Sequence, residues 1–271
     1  MNPRLPALKR RALLAFAVLG LAFPSFCEAG LKIYYLRHAE QGGNVTHKWA
    51  DVPKDQWPSY VGQPVFTPLG EEQVAQIPAK LKPYRFDFIA TSPLWRARHT
   101  ILPWLKEHDR QAEVWSELTE FSYKSIDPKL VLQGSKNLPP PSEDLLTGGG
   151  AIDIEPESAQ WFTLLTADQR EIKFGRSGAE GTADVVTLFE TVIDRIEQRF
   201  GHEEKSILLV GHNNAGTHLL RTLLKGELPR RESIRNISLW MVERQPDGAW
   251  QLKLFNDRPV AEAQPERTTQ P

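Results

Sequence analysis

The chain has 271 residues, of which 40% are hydrophobic and 25% are charged, and its formal net charge is −1 at pH 7. This composition is that of an ordinary globular protein, and the length allows one domain with a sizeable hydrophobic core. The nearly balanced charge gives no sign of a nucleic-acid partner.

The first 29 residues have the pattern of a secretory signal peptide. Four basic side chains precede an apolar run at residues 12–23, and the small residues Cys27 and Ala29 stand at the −3 and −1 positions of a cleavage site. We therefore expect cleavage after Ala29 and a mature chain of residues 30–271. The expected location is secreted or periplasmic, with no membrane association after cleavage. A retained membrane anchor is the alternative, but the apolar run is shorter than the ~20 residues that span a bilayer.

Cleavage would change the charge and the thiol content of the chain. The loss of four basic side chains and one acidic side chain lowers the formal net charge from −1 to −4. Cys27 is the only cysteine, so the mature protein would have no disulfide bond, and an oxidising compartment suits it.

Short apolar runs alternate with amphipathic segments along residues 30–271. Runs rich in β-branched and aromatic residues predict strands, and apolar residues spaced by three and four predict helices. Thr67 and Pro68 are typical of a helix start, as N-cap and first helical residue. A hairpin with arms at 237–243 and 249–255 closes the pattern. The predicted strands are 31–36, 86–91, 113–115 and 206–211, and the predicted helices are 68–81, 94–106, 185–196 and 213–224.

Residues 121–181 interrupt this alternation. They contain three consecutive prolines and three consecutive glycines, with one predicted helix at about 157–165. We interpret the segment as an irregular insertion within one domain of residues 30–271, because the elements before it lack the strands that would complete their sheet. The alternating order predicts an α/β fold, a three-layer α/β/α sandwich with a mainly parallel sheet.

Five polar side chains follow the carboxyl ends of four predicted strands. Because the carboxyl ends of parallel strands meet at one edge of a sheet, we expect these side chains to share one crevice. They are Arg37 and His38 after the first strand, Arg96 and Glu120 after the second and third, and His212 after the strand at 206–211.

The chemistry of these side chains is that of phosphoryl transfer. Planar guanidinium groups grip phosphate oxygens in pairs, so Arg37 and Arg96 form the expected clamp. A neutral imidazole can attack phosphorus, and His38 is the expected nucleophile because it adjoins Arg37 at the strand exit. His212 would donate to the phosphoryl oxygens in the transition state.

The reaction also needs an acid for the leaving group. Glu120 can supply that proton and then take one from the water that hydrolyses the intermediate, and Glu117 is the competing candidate. No metal is expected, because the remaining histidines lack the close helical spacing of a zinc site.

The motifs that contain these residues resemble the histidine phosphatase superfamily. Residues 36–40 (LRHAE), together with Asn44, are similar to the Arg-His-Gly signature of that family. Further matches, in family order, are 67–70 (TPLG), 91–100 (TSPLWRARHT), 118–120 (LTE) and 210–212 (VGH). The resemblance spans residues 31–226.

The resemblance implies a phosphoglycerate mutase-like fold, a phosphohistidine intermediate at His38 and a proton donor at Glu120. It implies neither a metal nor an organic cofactor. Because Asn213 and not an aspartate follows His212, the chain resembles the mutase-like branch more than the acid phosphatase and phytase branch. The residues implied in phosphate binding are Arg37, Asn44, Arg96 and His212.

The sequence departs from the family pattern at three places. Ala39 replaces the usual glycine, which is a small change. Gln41 stands where a threonine or serine commonly helps bind phosphate, and residues 120–123 (EFSY) replace the usual acidic-glycine continuation. The last two departures leave the substrate, and the choice between Glu120 and Glu117, open.

The sequence predicts an exported phosphatase that hydrolyses monoesters of a small phosphorylated substrate, because an exported protein has no access to the glycolytic pool that a mutase would use. Three alternatives stay open: a phosphotransferase or mutase, a protein phosphohistidine phosphatase, and a non-catalytic phosphate-binding or interaction protein. Contacts with the leaving group are expected from residues 45–66 and the insertion. There Trp49, Trp57 and Tyr60 fit equally a rim of the crevice or a small core of the loop. The oligomeric state is not indicated.

Overall fold

The structure is a computed structural model that describes residues 30–120, 154–164, 178–226 and 233–260, excluding the side chains of residues 178–188. The predicted signal peptide and most of the predicted insertion lie outside these ranges. Within them, no helix is long and apolar enough to cross a membrane.

The described residues form one eight-stranded sheet. Its strands are β1 (Lys32–Arg37), β2 (Phe88–Thr91), β3 (Ala112–Val114), β4 (Phe162–Leu164), β5 (Ser206–Gly211), β6 (Leu239–Arg244), β7 (Trp250–Phe255) and β8 (Arg258–Pro259). Their order across the sheet is β4-β3-β2-β5-β1-β6-β7-β8. Strands β1 to β5 are parallel to one another, and β6 to β8 extend the sheet in antiparallel fashion. The carboxyl ends of β1, β2, β3 and β5 therefore meet at one edge.

Helices cover both faces of this sheet. They are α1 (Pro68–Leu81), α2 (Trp95–Glu107), α3 (Gly178–Phe200) and α4 (Asn213–Leu223). Successive β1 side chains point to opposite faces, so this strand contributes to two separate cores. The core that involves α1 and α2 includes Tyr34, Leu36, Ile77 and Ile101. The core that involves α3 and α4 includes Ile33, Tyr35, Phe189 and Leu219. The predicted three-layer sandwich with a mainly parallel sheet is confirmed.

The start of α1 is fixed by the residues that predicted it. The Thr67 hydroxyl oxygen accepts from the Gly70 backbone N–H at 3.0 Å, and Pro68 is the first helical residue. The same hydroxyl donates to a carboxylate oxygen of Glu40 at 2.8 Å. The N-terminus of α1 is thereby held against the loop that follows β1.

One helix prediction is wrong. The sequence predicts a helix at about 157–165, but the described residues 157–164 form a 3-10 turn (Ala159–Trp161) and then β4. Strand β4 pairs in parallel with β3, with Phe162 opposite Ala112. Pairing at the sheet edge thus overrides local helix propensity in this short segment. The helix predicted at 185–196 exists but is longer, since α3 begins at Gly178.

Candidate active site

The two candidate histidines lie next to each other at the carboxyl edge of the sheet. His38 directly follows β1 and His212 directly follows β5, and these strands are neighbours. The backbone N–H of His38 donates to the Gly211 carbonyl oxygen at 2.9 Å, which extends the strand pairing to the site. The centroids of the two imidazole rings are 5.1 Å apart, with the ring planes inclined at 55°.

His38 has a defined tautomer and is neutral. Its Nδ1 lies 2.6 Å from the Ala39 carbonyl oxygen. Because a carbonyl oxygen only accepts, Nδ1 carries the hydrogen and Nε2 keeps the lone pair. Burial, reinforced by the positive charges of Arg96 and Arg37, lowers the pKa of His38 well below 6.5. The ring therefore offers an unprotonated nitrogen at neutral pH.

His212 is held by its Nε2 atom, which lies 2.8 Å from the Ser92 hydroxyl oxygen. That oxygen accepts from the Leu94 backbone N–H at 3.2 Å, and the Ser92 hydroxyl can donate its own hydrogen to Nε2. Nδ1 of His212 is buried and has no hydrogen-bond partner among the described residues. Burial, with the charges of Arg96, His38 and Arg37, lowers the pKa of His212 well below 6.5. A neutral ring with Nδ1–H can donate to an anion.

Two guanidinium groups supply positive charge to this pair. The Nε atoms of Arg37 and Arg96 are buried, and neither has a hydrogen-bond partner within the described ranges. Arg37 is anchored by a hydrogen bond from Nη1 to the Ile234 carbonyl oxygen. Burial lowers the pKa of both groups, and the negative charge of Glu120 raises it. A guanidinium group stays protonated under these conditions, so the site attracts anions.

Glu120 belongs to the same site. It follows the 3-10 turn Ser116–Leu118 at the end of β3. Its negative charge raises the pKa of Arg37 and Arg96, and it also raises that of Tyr35. The site therefore combines two cations, two neutral imidazoles and one carboxyl group, which together can bind a phosphate and exchange protons with it.

The family model of the histidine phosphatase superfamily (branch 1) matches residues 33–142 and 146–258. The chain belongs to the histidine phosphatase superfamily. The family identified from the sequence motifs is thereby confirmed, and the matched ranges include all six predicted site residues.

Two solved phosphatase structures share the fold. The alpha-ribazole phosphatase from Shigella flexneri superposes with a TM-score of 0.52 and 18% identity, covering 86% of this chain and 100% of its own. The mycobacterial glucosyl-3-phosphoglycerate phosphatase has a TM-score of 0.51 and 16% identity, covering 84% of this chain and 99% of its own. A comparison with curated protein sequences found no match.

Glu117, the competing proton donor, faces away from the site of this histidine phosphatase. Its side chain is 1% exposed and forms an ion pair with Arg195 of α3. The Arg195 guanidinium group also lies over the Trp115 ring, 4.6 Å from its centroid. Glu117 is thus part of the packing between the sheet and α3, and Glu120 is the carboxyl group near the arginines.

Asn44 lies close to His38 but its oxygen is occupied by the protein. Asn44 Oδ1 accepts from the Gln41 backbone N–H at 3.1 Å and from Asn236 Nδ2 at 3.5 Å. Asn236 Nδ2 also donates to the His38 carbonyl oxygen at 2.9 Å. Gln41, which replaces a common phosphate-binding residue, accepts from the Gly43 N–H at 2.8 Å. Both side chains stabilise the loop after β1, and direct phosphate contact by Asn44 stays a prediction.

Four supporting residues were not predicted as part of the site. Thr100 accepts from the Ala39 N–H at 2.9 Å and donates to the Arg96 carbonyl oxygen at 2.6 Å, so it joins the exit of β1 to α2. Ser92 and Thr100 both lie in the motif at 91–100, which is the signal that could have found them. Nothing in the local sequence marks Tyr35 and Asn236 as part of the site. The four are Tyr35, Ser92, Thr100 and Asn236.

The aromatic residues of the 45–66 loop divide between two roles. Trp49 and Tyr60 line a cleft of about 460 Å³ that also includes Glu40. Trp57 donates its indole N–H to the Val52 carbonyl oxygen at 2.8 Å, which places it in the packing of the loop itself. A larger cleft of about 620 Å³ reaches the site at Arg37 and Asn236 but includes neither histidine. The geometry of the two histidines, and not cleft size, therefore locates the chemistry.

Proposed function

We propose that the protein is a phosphatase that hydrolyses phosphate monoesters of a small substrate through a phosphohistidine at His38. The observation that carries this proposal is the buried pair of neutral imidazoles, His38 and His212, beside two guanidinium groups. An imidazolium would have no lone pair for attack on phosphorus, so neutrality is a requirement of the chemistry.

Substrate binding places the phosphate dianion between Arg37 and Arg96. Each guanidinium group has a buried Nε without a partner among the described residues, so a phosphate oxygen would satisfy it. The Nδ1–H of His212 donates to another phosphoryl oxygen. These donors are already in place before the reaction, so they stabilise the charge that spreads over the oxygens in the transition state.

In the first chemical step, the lone pair of His38 Nε2 forms a bond to phosphorus and the bond from phosphorus to the ester oxygen breaks. Glu120, a carboxylate in the free site that takes up a proton when the phosphate dianion binds beside it, gives this proton to the ester oxygen, and the alcohol leaves. The Ala39 carbonyl oxygen accepts from Nδ1–H and stabilises the positive charge that develops on the ring. The product is a phosphohistidine.

In the second step, water attacks phosphorus and Glu120, now a carboxylate, takes its proton. The bond from Nε2 to phosphorus breaks, which returns the electron pair to His38 and releases inorganic phosphate. In this mechanism water accepts the phosphoryl group. Transfer to a second hydroxyl group in place of water would make the protein a phosphotransferase.

The test compares His38→Ala with a control, His47→Ala, which removes an exposed histidine from the loop that follows β1. Purified protein should hydrolyse p-nitrophenyl phosphate, and a rapid quench with ³²P-labelled substrate should trap an acid-labile phosphohistidine. His38→Ala should abolish both signals, and His47→Ala should keep them. Full activity in His38→Ala would overturn the nucleophile assignment. A second outcome would show that the protein binds phosphate but is not an enzyme. In that case calorimetry would detect phosphate binding, and the protein would hydrolyse none of a panel of sugar, nucleotide, lipid-headgroup and inositol phosphates.

We also propose that the protein is exported and that residues 1–29 are removed. The support is the basic and apolar pattern of that segment, with small residues at the −3 and −1 positions. Cell fractionation should place the activity in the periplasm or the medium, and N-terminal sequencing should start at Gly30. Activity confined to the cytoplasm with an intact N-terminus would contradict export without affecting the catalytic proposal.

A further inference from the structure

The hydroxyl group of Tyr35 bridges the backbone of His212. It donates to the His212 carbonyl oxygen at 2.9 Å and accepts from the His212 backbone N–H at 2.7 Å. Neither residue is exposed to solvent. Because a buried backbone N–H needs a partner from the protein, this hydroxyl has a specific structural task at the site.

The tyrosine ring fits a space that the neighbouring backbone leaves for it. A Cβ atom at Gly211 would lie 2.2 Å from the Tyr35 hydroxyl oxygen, and one at Gly216 would lie 2.3 Å from Cε1 of the same ring. The Trp240 ring stacks on the Tyr35 ring, with the ring centroids 5.2 Å apart and the ring planes inclined at 6°. The ring is therefore confined, and its hydroxyl cannot swing away from His212.

His212 stands at a junction where the backbone changes from strand to helix. It follows β5 and is the N-cap residue of α4, and its carbonyl oxygen also accepts from the Gly216 N–H at 3.0 Å. Ser92 fixes one end of the imidazole ring through Nε2. Tyr35 fixes the other end of the residue, the backbone from which the ring projects.

The same hydroxyl lies within electrostatic reach of the other groups of the site. Burial, followed by the negative charge of Glu120, raises the pKa of Tyr35 well above 10, and the charge of Arg37 acts in the opposite direction. The hydroxyl thus stays protonated throughout the working pH range. Its donor role toward the His212 carbonyl oxygen is permanent.

We propose that Tyr35 is a positioning residue whose hydroxyl group sets the direction in which the His212 ring donates to the reacting phosphoryl group. This inference rests on the proposed function, in which His212 stabilises the transition state. Loss of the hydroxyl would leave the His212 ring present but displaced, and a displacement of about 1 Å can lower a rate by about 100-fold. The loss should fall mainly on kcat, because the ring acts on charge that develops during the reaction.

The experiment compares Tyr35→Phe with Tyr34→Phe in the full protein. Tyr34 is the preceding residue of β1, and its side chain packs in the core on the opposite face of the sheet. In Tyr35→Phe, kcat for p-nitrophenyl phosphate should fall by roughly 30-fold or more, with KM changed less than about 3-fold. Tyr34→Phe, which loses the same atom, should keep both constants within about 2-fold of the parent protein.

An NMR measurement separates this proposal from the proposed function. The ¹³C and ¹⁵N signals of the His212 ring, assigned with His212→Gln, should shift in Tyr35→Phe and stay unchanged in Tyr34→Phe. This readout needs no turnover. A shift in a protein that hydrolyses no phosphate ester would keep the positioning role and reject the phosphatase. Unchanged signals and an unchanged kcat in Tyr35→Phe would overturn the positioning role.

A further variant covers the case in which Tyr35→Phe fails to fold. Replacement of Tyr35 by para-aminophenylalanine keeps a hydrogen-bond donor at the position of the hydroxyl. It should restore the folded state and recover at least about a tenth of the parent kcat. The proposal would also be overturned if this variant folds and gives His212 NMR signals like those of the parent protein, but has less than about a tenth of the parent kcat. In that case the orientation of His212 would not explain the loss of activity.

Discussion

The hydroxyl oxygen of Ser92 lies 2.8 Å from Nε2 of His212, and both side chains are fully buried. When Ser92 donates to Nε2 in this contact, the hydrogen of the His212 ring resides on Nδ1, the atom without a partner among the described residues. In the proposed mechanism, the donor role of the His212 ring therefore depends on the Ser92 hydroxyl group.

Ser92→Ala should lower kcat for p-nitrophenyl phosphate by about 10- to 100-fold, because the His212 ring can then adopt the tautomer with a lone pair on Nδ1. Ser92→Thr keeps the hydroxyl and should recover most of that loss. Steady-state kinetics of the two variants provides the measurement. Equal activity of Ser92→Ala and the parent protein would show that another group sets the tautomer.

The acid assigned to Glu120 can be separated from the structural role of Glu117. Glu120→Gln should lower kcat by about 10²- to 10⁴-fold for an alkyl phosphate and by less for p-nitrophenyl phosphate, whose leaving group needs little protonation. Glu117→Gln should keep kcat but lower the free energy of unfolding by about 3 kcal/mol, because it leaves the Arg195 charge without its partner. Kinetics with both substrates, together with urea denaturation, distinguishes the two. The opposite pattern would exchange the two assignments.

The strand ends were predictable because they depend on local pattern. Arg37, His38 and His212 directly follow apolar runs that are long enough to be strands, and a parallel sheet gathers their carboxyl ends. The choice between Glu117 and Glu120 was not predictable. Both follow β3, and only the intervening 3-10 turn decides that one side chain packs against α3 while the other reaches the arginines.

The supporting contacts were not predictable for a different reason. Hydrophobic periodicity marks Tyr35 as a buried β1 residue, but its hydroxyl partner is 177 positions away in the sequence. Asn236 contacts the His38 backbone across 198 positions. The sequence pattern does not predict strand β4 because its three residues carry almost no periodic signal, and the strand depends on pairing with β3.

In the free protein, His38 and His212 should stay neutral at pH values at which an ordinary histidine is protonated. Burial and the charges of Arg96 and Arg37 lower the pKa of His38 well below 6.5, and burial, Arg96, His38 and Arg37 do the same for His212. A ¹³C NMR titration, assigned with His38→Gln and His212→Gln, should show both rings unprotonated at pH 6.5. Addition of inorganic phosphate should raise both midpoints, because the dianion favours the protonated rings.

The lowered pKa values of His38 and His212 also make the free energy of unfolding depend on pH. Below pH 6.5 the unfolded chain takes up protons at these two histidines while the folded protein does not, so the free energy of unfolding should fall as the pH is lowered. The His38→Gln/His212→Gln double variant should lose less stability between pH 7 and pH 5 than the parent protein. Midpoints at or above 6.5 in the free protein, or parallel stability curves, would contradict the assigned charge states.

The turn that carries Ser92 to Arg96 is braced by an ion pair between a buried arginine and a partly exposed glutamate. Arg98, which is 2% exposed, donates from Nε to the Pro93 carbonyl oxygen at 3.0 Å and from Nη1 and Nη2 to Glu155 at 2.7 and 3.1 Å. Burial acts to raise the pKa of Glu155, but the hydrogen bonds and charge of Arg98 outweigh it and lower the pKa to about 2.

Glu155→Gln should lower the free energy of unfolding at pH 7 by about 2 kcal/mol, a figure reduced from the full shift because the carboxylate is partly exposed and screened by solvent. Since the folded pKa is depressed, this contribution is complete above about pH 4.5 and is lost as the pH falls toward 2. In urea denaturation, the stability loss in Glu155→Gln should therefore fall to less than about half of its pH 7 value at pH 3 and nearly disappear at pH 2. Glu157→Gln, which removes an exposed carboxylate two residues away, serves as the control and should change stability by less than about 0.5 kcal/mol at either pH. An equal loss in both variants would mean that Arg98 does not depend on Glu155 to brace the turn.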